Sequence, residues 1–289
     1  MFRKIPGPIL MVFSSICFAL GGLLIKMVPW SGIALNGARS IIAVPVIAMY
    51  MKISGNPLKI NRTVVIGSFC LAATTLLYAV ANKLTAAGNV IALQFTSPIF
   101  VMLYSRFFFG KKTRKIDIIA CIFVLAGVVI FLMDSLQAGN TLGNLMGVAS
   151  GATFAGVYLM NEGKGASPLS SVLLADILSF VISLPWLLKA DFRSIQPQAW
   201  TAVIVLGLIQ MGLAYVFFTE GIKKTRPVTA SLLSVIEVVL NPALVAIFLK
   251  ETLSPMSLVG AVVILLSVTI YNVILVKMPK DETSLAAER

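Results

Sequence analysis

KLTAAGNVIALQFTSPIFVMLYSRFF, residues 83–108, and KKTRPVTASLLSVIEVVLNPALVAIF, residues 223–248, lie 140 residues apart and align without a gap. Lys83 falls on Lys223, Thr85 on Thr225, Leu93 on Leu233 and Phe108 on Phe248, and the register persists to Val128 on Val268. Upstream, a shift of 136 superposes Gly7 on Gly143, Ser14 on Ser150, Phe18 on Phe154 and Ala19 on Ala155. Single identities are weak in apolar sequence. Their order and near-constant spacing indicate an internal duplication.

The duplicated unit is built for a membrane. Of 289 residues, 58% are hydrophobic and 12% charged, against ~45–50% and ~25% in soluble domains, and the mean hydropathy is +0.98. The apolar runs are continuous over about 20 residues rather than alternating over about 10, so they read as helices. Ten are expected, near 7–27, 33–53, 63–83, 87–108, 116–133, 143–161, 168–188, 199–221, 227–249 and 254–276. The first has no small-x-small cleavage site before Lys26 and reads as a span rather than a signal peptide. Five spans per copy is odd, so the second copy enters the membrane inverted. The fold expected is all-α and integral to the membrane, ten transmembrane helices as two inverted five-helix repeats. Residues 1–135 form the first, 136–280 the second, and 281–289 a cytoplasmic tail. Such repeats place a solute site near the midplane where the halves meet.

Charge orients the bundle. With the N-terminus inside, 17 of the 23 Lys and Arg fall on the inner side, and Lys26, Lys83, Lys189, Arg193 and Lys250 on the outer. Arg39, inside the second span, is the single remainder. This bias puts both termini in the cytoplasm and explains the net charge of +12 without nucleic acid. There is no histidine, and Cys17, Cys70 and Cys121 form no CxxC pair, so neither a metal site nor a cofactor is expected. Phosphate-binding and hydrolase motifs are absent from the sequence.

The chain resembles the ten-helix drug/metabolite transporter superfamily, EamA type. LQFTSPIF at 93–100, ASLLSVIE at 230–237, Arg39 in the second segment and Leu249-Lys250-Glu251 carry the resemblance. Glu237-Val238 stands where the family commonly has Glu-Pro, and Gly110-Lys111 where it has Gly-Glu; Pro242 is placed to kink the ninth segment instead. The resemblance implies a secondary transporter of amino acids or related metabolites, exported across an inner membrane.

Within the hydrocarbon, charges are the most informative residues, each costing at least ~2.5–3.5 kcal/mol to insert. Arg39 and Asp176 occupy matching places in the two halves and are expected to form an ion pair or gate, or to recognise a zwitterion. Glu237 lies on a stripe with Ala230, Ser234 and Asn241, and its symmetry-related stripe holds Gln94 and Ser97. Two such stripes facing one cavity suit a solute, and Glu237 there can carry a proton or attract a cation. Its alternative role is to lock helices. Thr75, Tyr78 and Asn82 share a face of the third segment. Gln210, Tyr215, Phe217 and Phe218 lie in the eighth, and Phe18, Phe154 and Tyr158 in the first and sixth. Aromatics here either pack or hold a cation. Trp30, Trp186 and Trp200 suit an interfacial belt. Gly143, Gly147, Gly151 and Ala155 form a small-residue ridge for close helix approach, within a monomer or across a homodimer.

The reading is a transporter of small polar or amphipathic metabolites working by alternating access, its partners being the substrate, the bilayer and protons. Organic cations such as choline are the rival substrate class. A membrane-embedded enzyme or channel-like protein is the reading from outside it. In a chain without its native cysteines, Cys placed at Gly139 should react with an impermeant reagent from outside and Cys at Gly165 from inside. Reversed labelling would overturn the orientation.

Overall fold

The computed structural model describes residues 4–85, 87–133, 140–193, 195–249 and 254–277. Among these every regular element is helical, and ten helical spans follow one another. The first is α1 (Gly7–Phe18) with α2 (Leu20–Met27), the second α3 (Gly32–Ser54) and the third α4 (Arg62–Leu84). The fourth is α5 (Ala87–Gln94) with α6 (Ser97–Phe109), the fifth α7 (Lys115–Leu132), the sixth α8 (Thr141–Tyr158) and the seventh α9 (Pro168–Leu187). The eighth runs from α10 (Pro197–Val205) through a π-helical segment, Leu206–Leu213, into α11 (Ala214–Ile222). The ninth is α12 (Pro227–Ser234) with α13 (Ile236–Leu249), and the tenth α14 (Pro255–Lys277). Seven helical stretches are long and apolar enough to cross a membrane by length and composition.

Local chemistry sets several ends. Ser31 and Asn61 accept from the backbone N–H groups of Ala34 and Val64 at 3.2 and 3.0 Å, capping α3 and α4. Gly55 and Gly110 close α3 and α6 in the left-handed region, at φ 69° and 64°. Along the spans, Ile9, Phe69, Phe107, Ile122, Val181 and Leu266 point outward, as lipid-facing surface must.

The two halves interleave. Helix α3 packs along α9, and α7 along α14, each pair joining equivalent spans of the two copies. Helix α4 packs on α8, and α11 on α1, and these pairings exchange when the halves are swapped. So do the packing of α5 and α6 on α8 and that of α12 and α13 on α1. The resulting bundles are mixed: spans three, four and six make one, and spans eight, nine and one the other.

Two expectations change. The ninth span breaks at Val235, before Glu237, rather than at Pro242, which lies inside α13. Trp30 is buried at 6% exposure rather than facing the interface. Its indole donates to the Asp191 carbonyl at 3.0 Å and its ring meets Phe192 and Trp200, while Trp186 and Trp200 are exposed as a belt requires. The glycine ridge of α8 faces inward: Gly143 meets Leu84 and Thr85, Gly147 meets Leu93, and Gly151 meets the Gln94 carbonyl. Gly139, Lys250, Glu251 and the 281–289 tail lie outside the described residues.

A methyl group at Gly151 would lie 2.7 Å from the Gln94 carbonyl oxygen and 2.9 Å from Thr96 Oγ1. Helix propensity alone would favour alanine there by about 1 kcal/mol, whereas overpacking costs about 1–3 kcal/mol. Gly151→Ala should therefore lower the thermal unfolding midpoint, and by more than Gly143→Ala, whose neighbours are side-chain atoms at 3.0 Å and beyond. A midpoint raised by Gly151→Ala would contradict the packing described.

Candidate functional site

The fourth and ninth spans break at equivalent places, since a shift of 140 carries Phe95 onto Val235 and Ser97 onto Glu237. At both breaks the chain tightens into i→i+3 bonding, with Thr96 N to Leu93 O at 3.2 Å and Val238 N to Val235 O at 2.9 Å. Thr96 Oγ1 also donates to the same Leu93 carbonyl at 2.7 Å. The first span breaks at Ala19, whose carbonyl accepts from Asn241 Nδ2 at 2.8 Å. Interrupted spans in matching positions of inverted repeats mark a midplane site. The three breaks surround one cavity.

Phe18, Arg39, Thr74, Thr75, Tyr78, Gln94, Phe154, Gln210, Met211, Tyr215 and Glu237 line it. The free volume is about 30 Å³, room for one or two waters. One wall is polar. Arg39, 1% exposed, donates from Nε and Nη2 to Asn36 Oδ1 at 3.3 and 2.9 Å, from Nη2 to the Thr75 carbonyl at 2.9 Å, and from Nη1 to Gln210 Oε1 at 3.3 Å. Asn36 stands one turn before Arg39 on α3 and fixes the guanidinium plane. Gln210 reaches it from the π-helical stretch of the eighth span. Gly207 and Gly212 press that segment against Ile42 and Val46, leaving no space for a Cβ. A π segment is uncommon and concentrates at functional sites.

The other wall is aromatic. Phe18 meets Tyr215 edge-on at 4.8 Å between ring centroids, and Phe218 packs behind both and against Phe154 and Tyr158. Glu237, in the first turn of α13, is 4% exposed. Among the described residues its carboxylate accepts no hydrogen bond. Gln94, across the pseudo-twofold from Ser234, donates instead to Ser150 Oγ at 2.7 Å.

The residues expected from sequence therefore divide. Glu237, Gln94, Tyr78, Phe18 and Tyr215 line the cavity, and Arg39 joins them. Tyr158 lies behind the lining in the aromatic cluster. Ser234 Oγ returns to the Ala230 carbonyl at 3.0 Å, Asn82 Nδ2 to the Tyr78 carbonyl at 2.9 Å, and Asn241 serves the Ala19 break. Ser97 is buried beside the break in the fourth span. The break at Val235 disrupts the helical spacing that put Ser234, Glu237 and Asn241 on one stripe. The expected Arg39–Asp176 ion pair is not formed, because Arg39 turns to Asn36, Thr75 and Gln210. Asp176, equally buried on α9, is left with Oδ2 unpartnered among the described residues. Asn36, Thr74 and Met211 were not singled out from sequence; Asn36 at i−3 from a buried arginine was a readable signal.

The sequence matches the description "EamA-like transporter family" twice, over residues 5–133 and 141–273. The chain belongs to the EamA-like transporter family. It is 29% identical over 215 residues to the uncharacterized transporter YwfM of Bacillus subtilis (strain 168), covering 72% of each chain. Identity is 27% over 210 residues to an uncharacterized transporter of Archaeoglobus fulgidus, covering 68% of this chain and 75% of that one. A solved crystal structure shares the fold at a TM-score of 0.77, covering 92% of this chain and 97% of that chain at 18% identity. This EamA-like protein is thus a multi-pass membrane transporter with its charged, aromatic-walled cavity between the two mixed bundles.

Arg39 and Gln210 share a direct bond, whereas Arg39 and Asp176 do not. A double-mutant cycle with Arg39→Met and Gln210→Met, read by thermal unfolding of purified protein, should show a coupling of about 0.5–3 kcal/mol. Additive losses would place the two side chains in separate networks.

Proposed function

We propose that this EamA-like transporter exports small zwitterionic metabolites, amino acids or related compounds, across a cytoplasmic membrane by alternating access, with both termini inside. The observation that carries the reading is that one narrow cavity holds a fixed Arg39, placed for a substrate carboxylate, beside Glu237, placed for a coupling proton. Arg39 is held in place by Asn36 and the Thr75 carbonyl, and its longer 3.3 Å contact to Gln210 is one that a substrate carboxylate can replace. Glu237 accepts no hydrogen bond from a described residue and is suited to take up and release a proton. The free volume admits water only, so substrate entry requires the mixed bundles to separate at one end. Spans two and seven, packed on each other, are the natural pivot.

A second reading is favoured by Phe18, Phe154 and Tyr215 standing around a carboxylate: these rings suit an organic cation such as choline. The readings separate on Glu237→Gln. For a zwitterion, amino acids should raise the thermal midpoint of wild type and variant alike, while flux into proteoliposomes loses its pH dependence in the variant. Choline stabilising wild type but not Glu237→Gln would move the assignment to the organic cation. Stabilisation by neither class, with pH-dependent flux unchanged in the variant, would reject both roles of Glu237.

A further inference from the structure

Away from the central cavity, a larger cleft of about 330 Å³ opens at the end of the bundle where the first span begins. Its walls come from the loop between α6 and α7, the turn after α8, and the loop between α11 and α12, so it lies between the two mixed bundles. Lys111, Lys112, Lys223, Lys224 and Arg226 line it against only two carboxylates, Asp117 and Glu162. Both carboxylates are already engaged. Glu162 pairs with Lys111. Asp117, fully buried, accepts from the Tyr271 hydroxyl at 2.7 Å and from the Arg114 backbone N–H at 3.3 Å. Arg226, its side chain 31% exposed, consequently forms only a long ion pair with Asp117 at 3.8 Å, and its Nη1 is buried with no hydrogen-bond partner among the described residues.

A buried guanidinium nitrogen whose nearest carboxylate is too far to hydrogen-bond is costly, and here it borders a cleft large enough for an acceptor to enter. The amino end of α12 opens at the same place, and no side chain caps it. Lys112, on the opposite wall, is exposed and has no carboxylate within 4.0 Å among the described residues. We infer that this cleft binds a phosphate group, with Arg226 and the amino end of α12 on one side and Lys112 on the other. Such a group reaches it either as the headgroup of an anionic phospholipid or as a free phosphate compound. Because the walls belong to different bundles, the bound phosphate bridges them and holds this end of the transporter shut. The site is separate from the Arg39–Glu237 cavity and does not depend on the substrate assigned there.

The test uses the full chain, purified in neutral detergent, with thermal unfolding followed against phosphatidylglycerol, phosphatidylcholine, inorganic phosphate and pyrophosphate. Phosphatidylglycerol, or the free phosphates, should raise the midpoint at low salt, an effect diminished by added sodium chloride. A response to phosphatidylglycerol alone identifies the lipid source; a response to phosphate or pyrophosphate alone identifies the free one. Arg226→Gln and Lys112→Gln should each weaken that response about tenfold. Lys59→Gln and Arg62→Gln, which remove exposed charges at the same end but outside the cleft, should leave it intact. Lys112→Gln removes no bond within the protein, so its loss of response cannot be ascribed to misfolding. Equal weakening by all four variants would make the effect one of diffuse surface charge. That result, or the absence of stabilisation by any anion, would overturn the site.

Discussion

An arginine buried among hydrocarbon-facing helices must find acceptors for its donors, and this requirement organises the centre of the molecule. Arg39 finds them on three spans: Asn36 on its own helix, the Thr75 carbonyl on the third, and Gln210 on the eighth. Each acceptor constrains its own span. Gln210 faces Arg39 from a stretch whose backbone is π-helical, and that stretch lies close to α3 through Gly207 and Gly212. One side chain on span two thus ties spans three and eight, which belong to different sequence halves and to different mixed bundles.

The interleaving changes how the duplication is understood mechanically. Two consecutive halves of a chain suggest two bodies, yet the sixth span packs with the third and fourth, and the first with the eighth and ninth. Each broken span therefore faces a helix of the opposite copy, and the breaks at Phe95 and Val235 come together around one cavity. Neither half could build that cavity alone. A solute there is held by groups from both copies, as a site served from either side of a membrane requires.

Much of this was legible in the residues. Hydropathy gave the ten spans, and the 140-residue register gave the inverted repeat. The small-residue ridge at Gly143, Gly147 and Gly151 signals close packing, seen against the end of the third span and the fourth. Glu237 and Gln94 were found because polar side chains in a long apolar run stand out. What failed was geometry that depends on departures from a regular helix. No glycine or proline at Val235 announces a break, so the stripe of Ser234, Glu237 and Asn241 was extrapolated through it. The π-helical stretch around Gln210 shifts side-chain phase by an amount that a 3.6-residue period does not contain. Arg39 and Asp176 were matched by symmetry, but equivalence under a pseudo-twofold axis does not place two side chains in contact.

Trp30 adds an optical property to the architecture. The chain has three tryptophans. The indole of Trp30 is buried, bonded to the Asp191 carbonyl, and meets Trp200 edge-on at 5.6 Å across the boundary between the first and second copies. Its emission consequently depends on the packing of the first span on the eighth within one mixed bundle. Loosening of that packing would expose the ring to water and lengthen its distance from Trp200, changing colour and energy transfer together. The molecule therefore carries an intrinsic fluorophore inside the bundle of spans one, eight and nine, at the end opposite the basic cleft, where it reports whether that bundle moves as one body.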